Sequence, residues 1–273
     1  MVTKFWLYDI IIYIYALSLL FYFADAVSKN VGAKRMGEGL LVFVWVLQTL
    51  FFFVRMYEHR YIPVLTMFET MFFFSWLLVT ASLVVNRFYS MQFVVFFVNV
   101  FGFTVLVLNL LTDPGMAPAT PEFSGGLLWL HIALAMFSYV AFAVSACLSG
   151  LYLFLQRRLK RKKWSDALRR LPSLATLEKH SANAAMIGAP TLLLSLCLGT
   201  VWLAVETDVL HMLLDVKVYA TLLILLLYGW QLALKFRLRA PGRKIAWWNV
   251  ASFTLLLINF TVTNNFSRLH PWF

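Results

Sequence analysis

The chain has 273 residues, 62% of them hydrophobic and 13% charged, with a mean hydropathy of +0.80. A soluble domain averages about 45–50% apolar and about 25% charged residues, so a water-soluble core is excluded and lipid must be the solvent. The formal charge of +11, from 23 Lys and Arg against 12 Asp and Glu, invites a polyanionic partner until the charges are located.

Eight apolar runs approach the roughly 20 residues a helix needs to cross a bilayer. They span about 5–24, 39–56, 64–85, 91–112, 127–155, 183–205, 216–234 and 246–264. Strand alternation is absent, so the expected fold is all-α: a single transmembrane helical domain, 1–273, with eight spans. The first run ends in Ala24-Asp25-Ala26, which mimics a signal-peptide cleavage site. Only Lys4 precedes it, however, and Lys29, Lys34 and Arg35 follow it, which predicts an uncleaved helix with its N-terminus outside. Asp9 lies within this run and is the one well-buried charge without an evident partner.

The connections alternate in sign. Segments 25–38, 86–90, 156–182 and 235–245 hold all the Lys and Arg residues except Lys4, Arg55, Arg60, Lys217 and Arg268. The positive-inside rule makes that basic side cytoplasmic and both termini extracytoplasmic. The run Arg157–Lys163 then fixes orientation and touches anionic head groups, or docks a cytoplasmic protein. Nucleic acid is not an expected partner, because no cytoplasmic segment is long enough to fold into a base-reading domain. Cys147 and Cys197 lie in apolar runs without a CxxC spacing and are expected to be small packing residues.

Four of the five histidines, His59, His131, His211 and His270, fall on the extracytoplasmic side, and only His180 on the other. His131 follows Trp129, and Ala135, Ser138, Tyr139 and Phe142 continue its helical face. His270 sits in the tail Arg268-Leu269-His270-Pro271-Trp272-Phe273. Neutral imidazoles, aromatic walls and cations for two propionates are what a haem requires. Arg55, Arg60, Lys217 and Arg268 are the cations on that side. An interfacial aromatic belt accounts for the tryptophans equally well. Glu69, two turns into the third span, either pairs with Arg55 or lines such a haem cavity. Asp215 and Lys217 either cap and anchor the seventh span or touch ligand, and Asn259, Asn264 and Asn265 are inter-helix or interfacial hydrogen-bonders.

Five stretches in chain order carry a family resemblance. They are Tyr61 through Glu69 and on to Ser75-Trp76; Trp129-Leu-His131 with Met136, Ser138 and Tyr139; Gly188-Ala-Pro190 through Gly199 and Trp202; Asp215-Val-Lys217; and Asn259 through Leu269-His270. With eight spans, this order resembles the cytochrome c assembly (CcsA/CcmC-like) haem-handling membrane proteins. The resemblance implies non-covalent b-type haem held by His131 and His270 as external axial ligands. Trp129, Trp202 and Trp272 would wall it, and Glu69, Arg55 and Arg268 would lie beside it.

Departures from the family pattern matter as much. Between Trp202 and Asp215 there is no tryptophan, so the W-W-D signature is degraded. Tyr61 stands where haem-synthase members carry one intramembrane histidine, and Ala233 or a neighbour where they carry the other. Their absence favours a regulatory branch of that family, whose members are not expected to be enzymes. That branch implies regulation of haem biosynthesis by limiting glutamyl-tRNA reductase, reached through loop 156–180. The alternative is a haem transporter or handling component of cytochrome c maturation. A small-ion transporter would show repeats and midplane charges, and a quinone-oxidising cytochrome would show facing mid-membrane histidines; this sequence shows neither.

Overall fold

In lipid each backbone N–H and C=O must be satisfied within its own segment, and an unbroken apolar run achieves this as a helix. The computed structural model describes residues 3–59, 61–89, 91–112, 126–162, 171–206 and 216–262, and every regular element among them is helical. In chain order these are α1 (Thr3–Ser28), α2 (Val31–His59), α3 (Met67–Tyr89), α4 (Gln92–Leu108), α5 (Gly126–Lys160), α6 (Leu174–Glu206), α7 (Val216–Phe236) and α8 (Gly242–Val262). A 3-10 turn, Asn109–Leu111, continues α4. By length and composition α1 to α7 can cross a bilayer, seven candidate spans among the described residues where the sequence suggested eight. The chain is therefore a multi-pass helical membrane protein.

Each helix overlies one expected span but several run further at their basic ends. The expected connection 25–38 shrinks to Lys29 and Asn30, because Lys34, Arg35 and Glu38 belong to α2. His180, placed by sequence in a connection, lies in α6. His59, placed in a loop, ends α2. Lys, Arg and Glu are good helix formers, so charge moves a helix out of the apolar layer without ending it. Asp9 is corrected as well: it is exposed on the outer surface of α1 rather than buried in its span.

The described helices form two compact units. The first contains α1 to α4. Lys29 adopts φ 54°, and the Asn30 Oδ1 accepts from the N–H groups of Gly32 (2.9 Å) and Ala33 (3.2 Å), capping α2 directly after the turn. Tyr8, Phe51, Phe68 and Phe72 make its aromatic core, with the Phe51 and Phe72 rings 4.7 Å apart. Tyr8 donates to the Leu106 carbonyl at 2.7 Å and Tyr15 to Asn99 Oδ1 at 2.8 Å, tying α1 to α4.

Helices α2 and α3 are joined by a reciprocal clasp. Trp45 Nε1 donates to Thr80 Oγ1 and Trp76 Nε1 donates to Thr49 Oγ1, both at 2.9 Å. Each threonine hydroxyl in turn donates to the carbonyl of the tryptophan four residues earlier on its own helix.

The second unit contains α5 to α8. Ser145 and Ser149 of α5 meet Ser181 of α6, and the Asn249 Nδ2 of α8 donates to Ser145 Oγ (2.6 Å) and Ser181 Oγ (2.9 Å). The ring of Phe142 stacks on Tyr228 of α7 with centroids 3.7 Å apart. Gly188 lets α6 approach that ring, since an added Cβ would come within 2.7 Å of it. Small and hydroxylated residues thus let helix backbones approach where lipid supplies no hydrophobic drive. Large apolar side chains such as Phe137, Leu194 and Leu226 face outward.

Candidate ligand-binding site

His131 lies in the second turn of α5, one and a half turns from Gly126. Its Nδ1 is 2.6 Å from the Ser195 carbonyl oxygen and 3.1 Å from Ser195 Oγ on α6. The same hydroxyl donates to the His131 carbonyl at 2.9 Å. A carbonyl oxygen can only accept, so Nδ1 carries the proton. In the neutral ring Nε2 then keeps its lone pair. Anchoring one imidazole nitrogen to a carbonyl is how metal-ligating histidines are set in one tautomer and orientation.

Gly199 makes room for this ring. A Cβ there would lie 2.6 Å from His131 Cε1 and 2.8 Å from Nδ1, so no larger residue fits without moving the imidazole. Ser195, Gly199 and Trp202 are spaced i, i+4, i+7 and share one face of α6. Trp202 is half-buried on that face, and Trp129 is half-buried on α5, two residues before His131. Buried Ser138, Tyr139 and Phe142 continue the line inward along α5, as their spacing predicts. Asn259 of α8 donates to Thr221 Oγ1 of α7 at 3.4 Å, the inter-helix role expected of it.

Arg55 and Glu69 belong to the first unit and meet one another, with Nη2 3.3 Å from Oε1 and both side chains buried. Tyr61 donates to the same oxygen at 3.0 Å. The Leu65 and Thr66 N–H groups donate to Glu69 Oε2 at 3.1 and 3.2 Å, and the Glu69 N–H donates to Thr66 Oγ1 at 3.2 Å. Thr66 and Glu69 thus form a capping box that starts α3. The guanidinium of Arg55 also sits 5.1 Å from the centroid of Phe68. Burial and the neighbouring carboxylate raise the Tyr61 phenol above its ordinary pKa, which keeps it a donor. The Arg55–Glu69 pairing was anticipated from sequence. The capping box was missed, although Thr-x-x-Glu before an apolar run was its visible signal.

The structure therefore brings His131, Ser195 and Gly199 together, with Trp202 on the same α6 face, and separately brings Arg55 to Glu69. His270, Arg268 and Trp272 lie outside the described residues, as do His211 and Asp215. Sequence reading did not single out Ser195, or give Gly199 its role. Their four-residue spacing ahead of Trp202 was the available signal.

Residues 64–270 match the family model described as cytochrome C assembly protein. The chain belongs to that family. Two relatives carry the name Protein HemX. One, from Brevibacillus brevis, is 42% identical over 268 residues, covering 98% of both chains. The other, from Bacillus subtilis (strain 168), is 38% identical over 264 residues, covering 96% of this chain and 95% of its own. A more distant member, the cytochrome c biogenesis protein CcsA of Guillardia theta, is 22% identical over 68% of each chain. The HemX likeness runs the length of the chain, whereas the CcsA likeness covers two thirds of it. Family membership with bacterial relatives of this coverage makes the chain a multi-pass bacterial membrane protein.

Proposed function

We propose that this cytochrome c assembly family member is a haem-binding regulator of the HemX kind and not an enzyme. The observation that carries the reading is His131 itself: Nδ1 is held by the Ser195 carbonyl, Nε2 keeps its lone pair, and Gly199 leaves the ring room. That is the disposition an axial iron ligand requires. Bound non-covalently as a b-type group, haem would supply an iron that takes two imidazoles; His131 is one ligand and His270 the second. Trp129, Trp202 and Trp272 wall it, and Arg268 serves a propionate. Arg55 and Glu69, engaged with each other, secure the entry to α3 rather than touch the ligand.

In this proposal α8 crosses the membrane as the eighth span and both termini lie outside. The excess of Lys and Arg in segments 25–38, 86–90, 156–182 and 235–245 supports that orientation. Ligand occupancy outside biases helix packing, and loop 156–180 passes the change to glutamyl-tRNA reductase, limiting its amount. Such coupling requires the ligand to bind two arrangements of the helices with different affinity.

The test is the absorption spectrum of purified full-length protein titrated with haem, compared with His131→Ala and His270→Ala. A bis-imidazole spectrum that each substitution abolishes supports the ligand pair. No uptake by wild type overturns the binding claim, and a spectrum retained in both variants removes the assignment. For the regulatory step, deletion should raise reductase levels, and unchanged levels refute it. A second reading, haem handling in cytochrome c maturation, is favoured by the family description and the CcsA relative. It predicts loss of c-type cytochromes on deletion.

A further inference from the structure

At the basic end of the second unit the described residues are strongly unbalanced in charge. Arg157, Arg158 and Lys160 close α5, Arg161 follows it, Arg237 and Arg239 occupy the α7–α8 turn, and Arg243 and Lys244 open α8. The one carboxylate described there, Glu178, is taken by Lys235, whose Nζ is 3.2 Å from Oε1. Two arginines are instead laid on aromatic rings. Arg157 sits 5.6 Å from the ring centroid of Trp247 and Arg158 5.3 Å from that of Phe154.

Those rings are not core residues. Trp247 is 46% exposed and Phe154 47% exposed, so each presents a face to the surroundings while an arginine covers part of it. Trp247 is five residues into α8, about 8 Å from its start, the depth at which tryptophan belongs at a membrane interface. Arg243 and Lys244 precede it by four and three residues, so they lie about one turn nearer the basic end on neighbouring faces of α8. Both are exposed, as is Arg157. A guanidinium lying on a ring keeps its N–H edge free, and that edge matches two oxygens of a phosphate.

We propose that Arg157, Arg243 and Lys244 around Trp247 form a binding site for the head group of an anionic phospholipid. The phosphate meets the guanidinium edges and the Lys244 ammonium, and the glycerol and first acyl carbons rest on the exposed indole. Charge complementarity selects an anionic occupant, and the half-exposed indole at interfacial depth selects a lipid over a free phosphate. The site is distinct from a diffuse basic field because it is built on one aromatic shelf with cations from two helices.

Native mass spectrometry of the detergent-purified full chain tests it, titrating phosphatidylglycerol and, separately, phosphatidylcholine. Wild type should retain phosphatidylglycerol in preference to phosphatidylcholine. At about a fivefold loss per removed cation, Arg157→Gln with Arg243→Gln should weaken retention about thirtyfold. Lys160→Gln with Arg161→Gln removes the same charge from the same end and should weaken it by less than about threefold. Trp247→Leu, with every charge in place, should also lower retention. Equal losses in the two double variants would overturn the site in favour of a general field. So would equal retention of the two lipids by wild type, an unaffected Trp247→Leu, or displacement of the lipid by millimolar inorganic phosphate.

Discussion

The two helical units contain the same materials, aromatic rings with scattered polar side chains, and close them differently. In α1 to α4 the polar groups meet each other: Arg55 with Glu69, Tyr15 with Asn99, Trp45 with Thr80 and Trp76 with Thr49. In α5 to α8 the serines and Asn249 do likewise, but His131 commits only one ring nitrogen. Its Nε2 has no hydrogen-bond partner among the described residues. Buried polar atoms without a hydrogen-bond partner among the described residues occur in both units, at Tyr22 and Gln48 in the first and at Tyr228 and Gln231 in the second, so they do not separate the two. Under the proposed function, ligand-facing polarity belongs to the second unit at His131 Nε2, and the Arg55–Glu69 pair of the first is structural.

Substitutions can break that division. The largest effect is expected from Glu69→Ala, which removes the carboxylate paired with a buried guanidinium and undoes the capping box; the loss should be about 3–5 kcal/mol, measured by denaturant unfolding in detergent. The folded fraction of this variant should still take up haem. If Glu69→Gln abolished the haem spectrum at unchanged stability, the first unit would share the ligand site and the division would fail.

Next comes Gly199→Ala, whose Cβ collides with the His131 ring. Haem affinity should fall about 10–100-fold, the range seen when the groups orienting a ligand are disturbed, with the fold intact by circular dichroism. Unchanged affinity would separate His131 from the ligand.

Smaller again is Ser195→Ala. The imidazole is held by the backbone carbonyl, so loss of the hydroxyl should cost about 1 kcal/mol of stability and shift haem affinity no more than a few-fold. Thr49→Val, which removes one acceptor from the clasp, should be smallest, about 0.6 kcal/mol in a membrane interior, and leave ligand binding untouched.

Much of this was legible beforehand for identifiable reasons. Apolar runs near 20 residues announce helices because lipid permits no other open-chain solution, so every helix overlies an expected span. The ends were misjudged where charge was taken for a loop: Lys34, Arg35 and Glu38 lengthen α2, and His180 lies within α6. His131 stood out through Trp129 and the small-then-aromatic face behind it. Ser195 and Gly199 did not, since a serine and a glycine inside an apolar helix are also ordinary packing residues, and only the position of α6 against α5 separates the two roles. Asp9 misled because hydropathy locates a residue along the helix axis but not around it.

The clasp of α2 and α3 has a mechanical consequence. Its two indole–hydroxyl bonds run in opposite senses across one interface, so an axial slide of either helix stretches both, and a rotation of one residue, about 100°, removes both. The pair therefore resists piston displacement and can respond to a load only by tilting as one rod. Crosslinks placed along these two helices would report a common angle and no change in stagger.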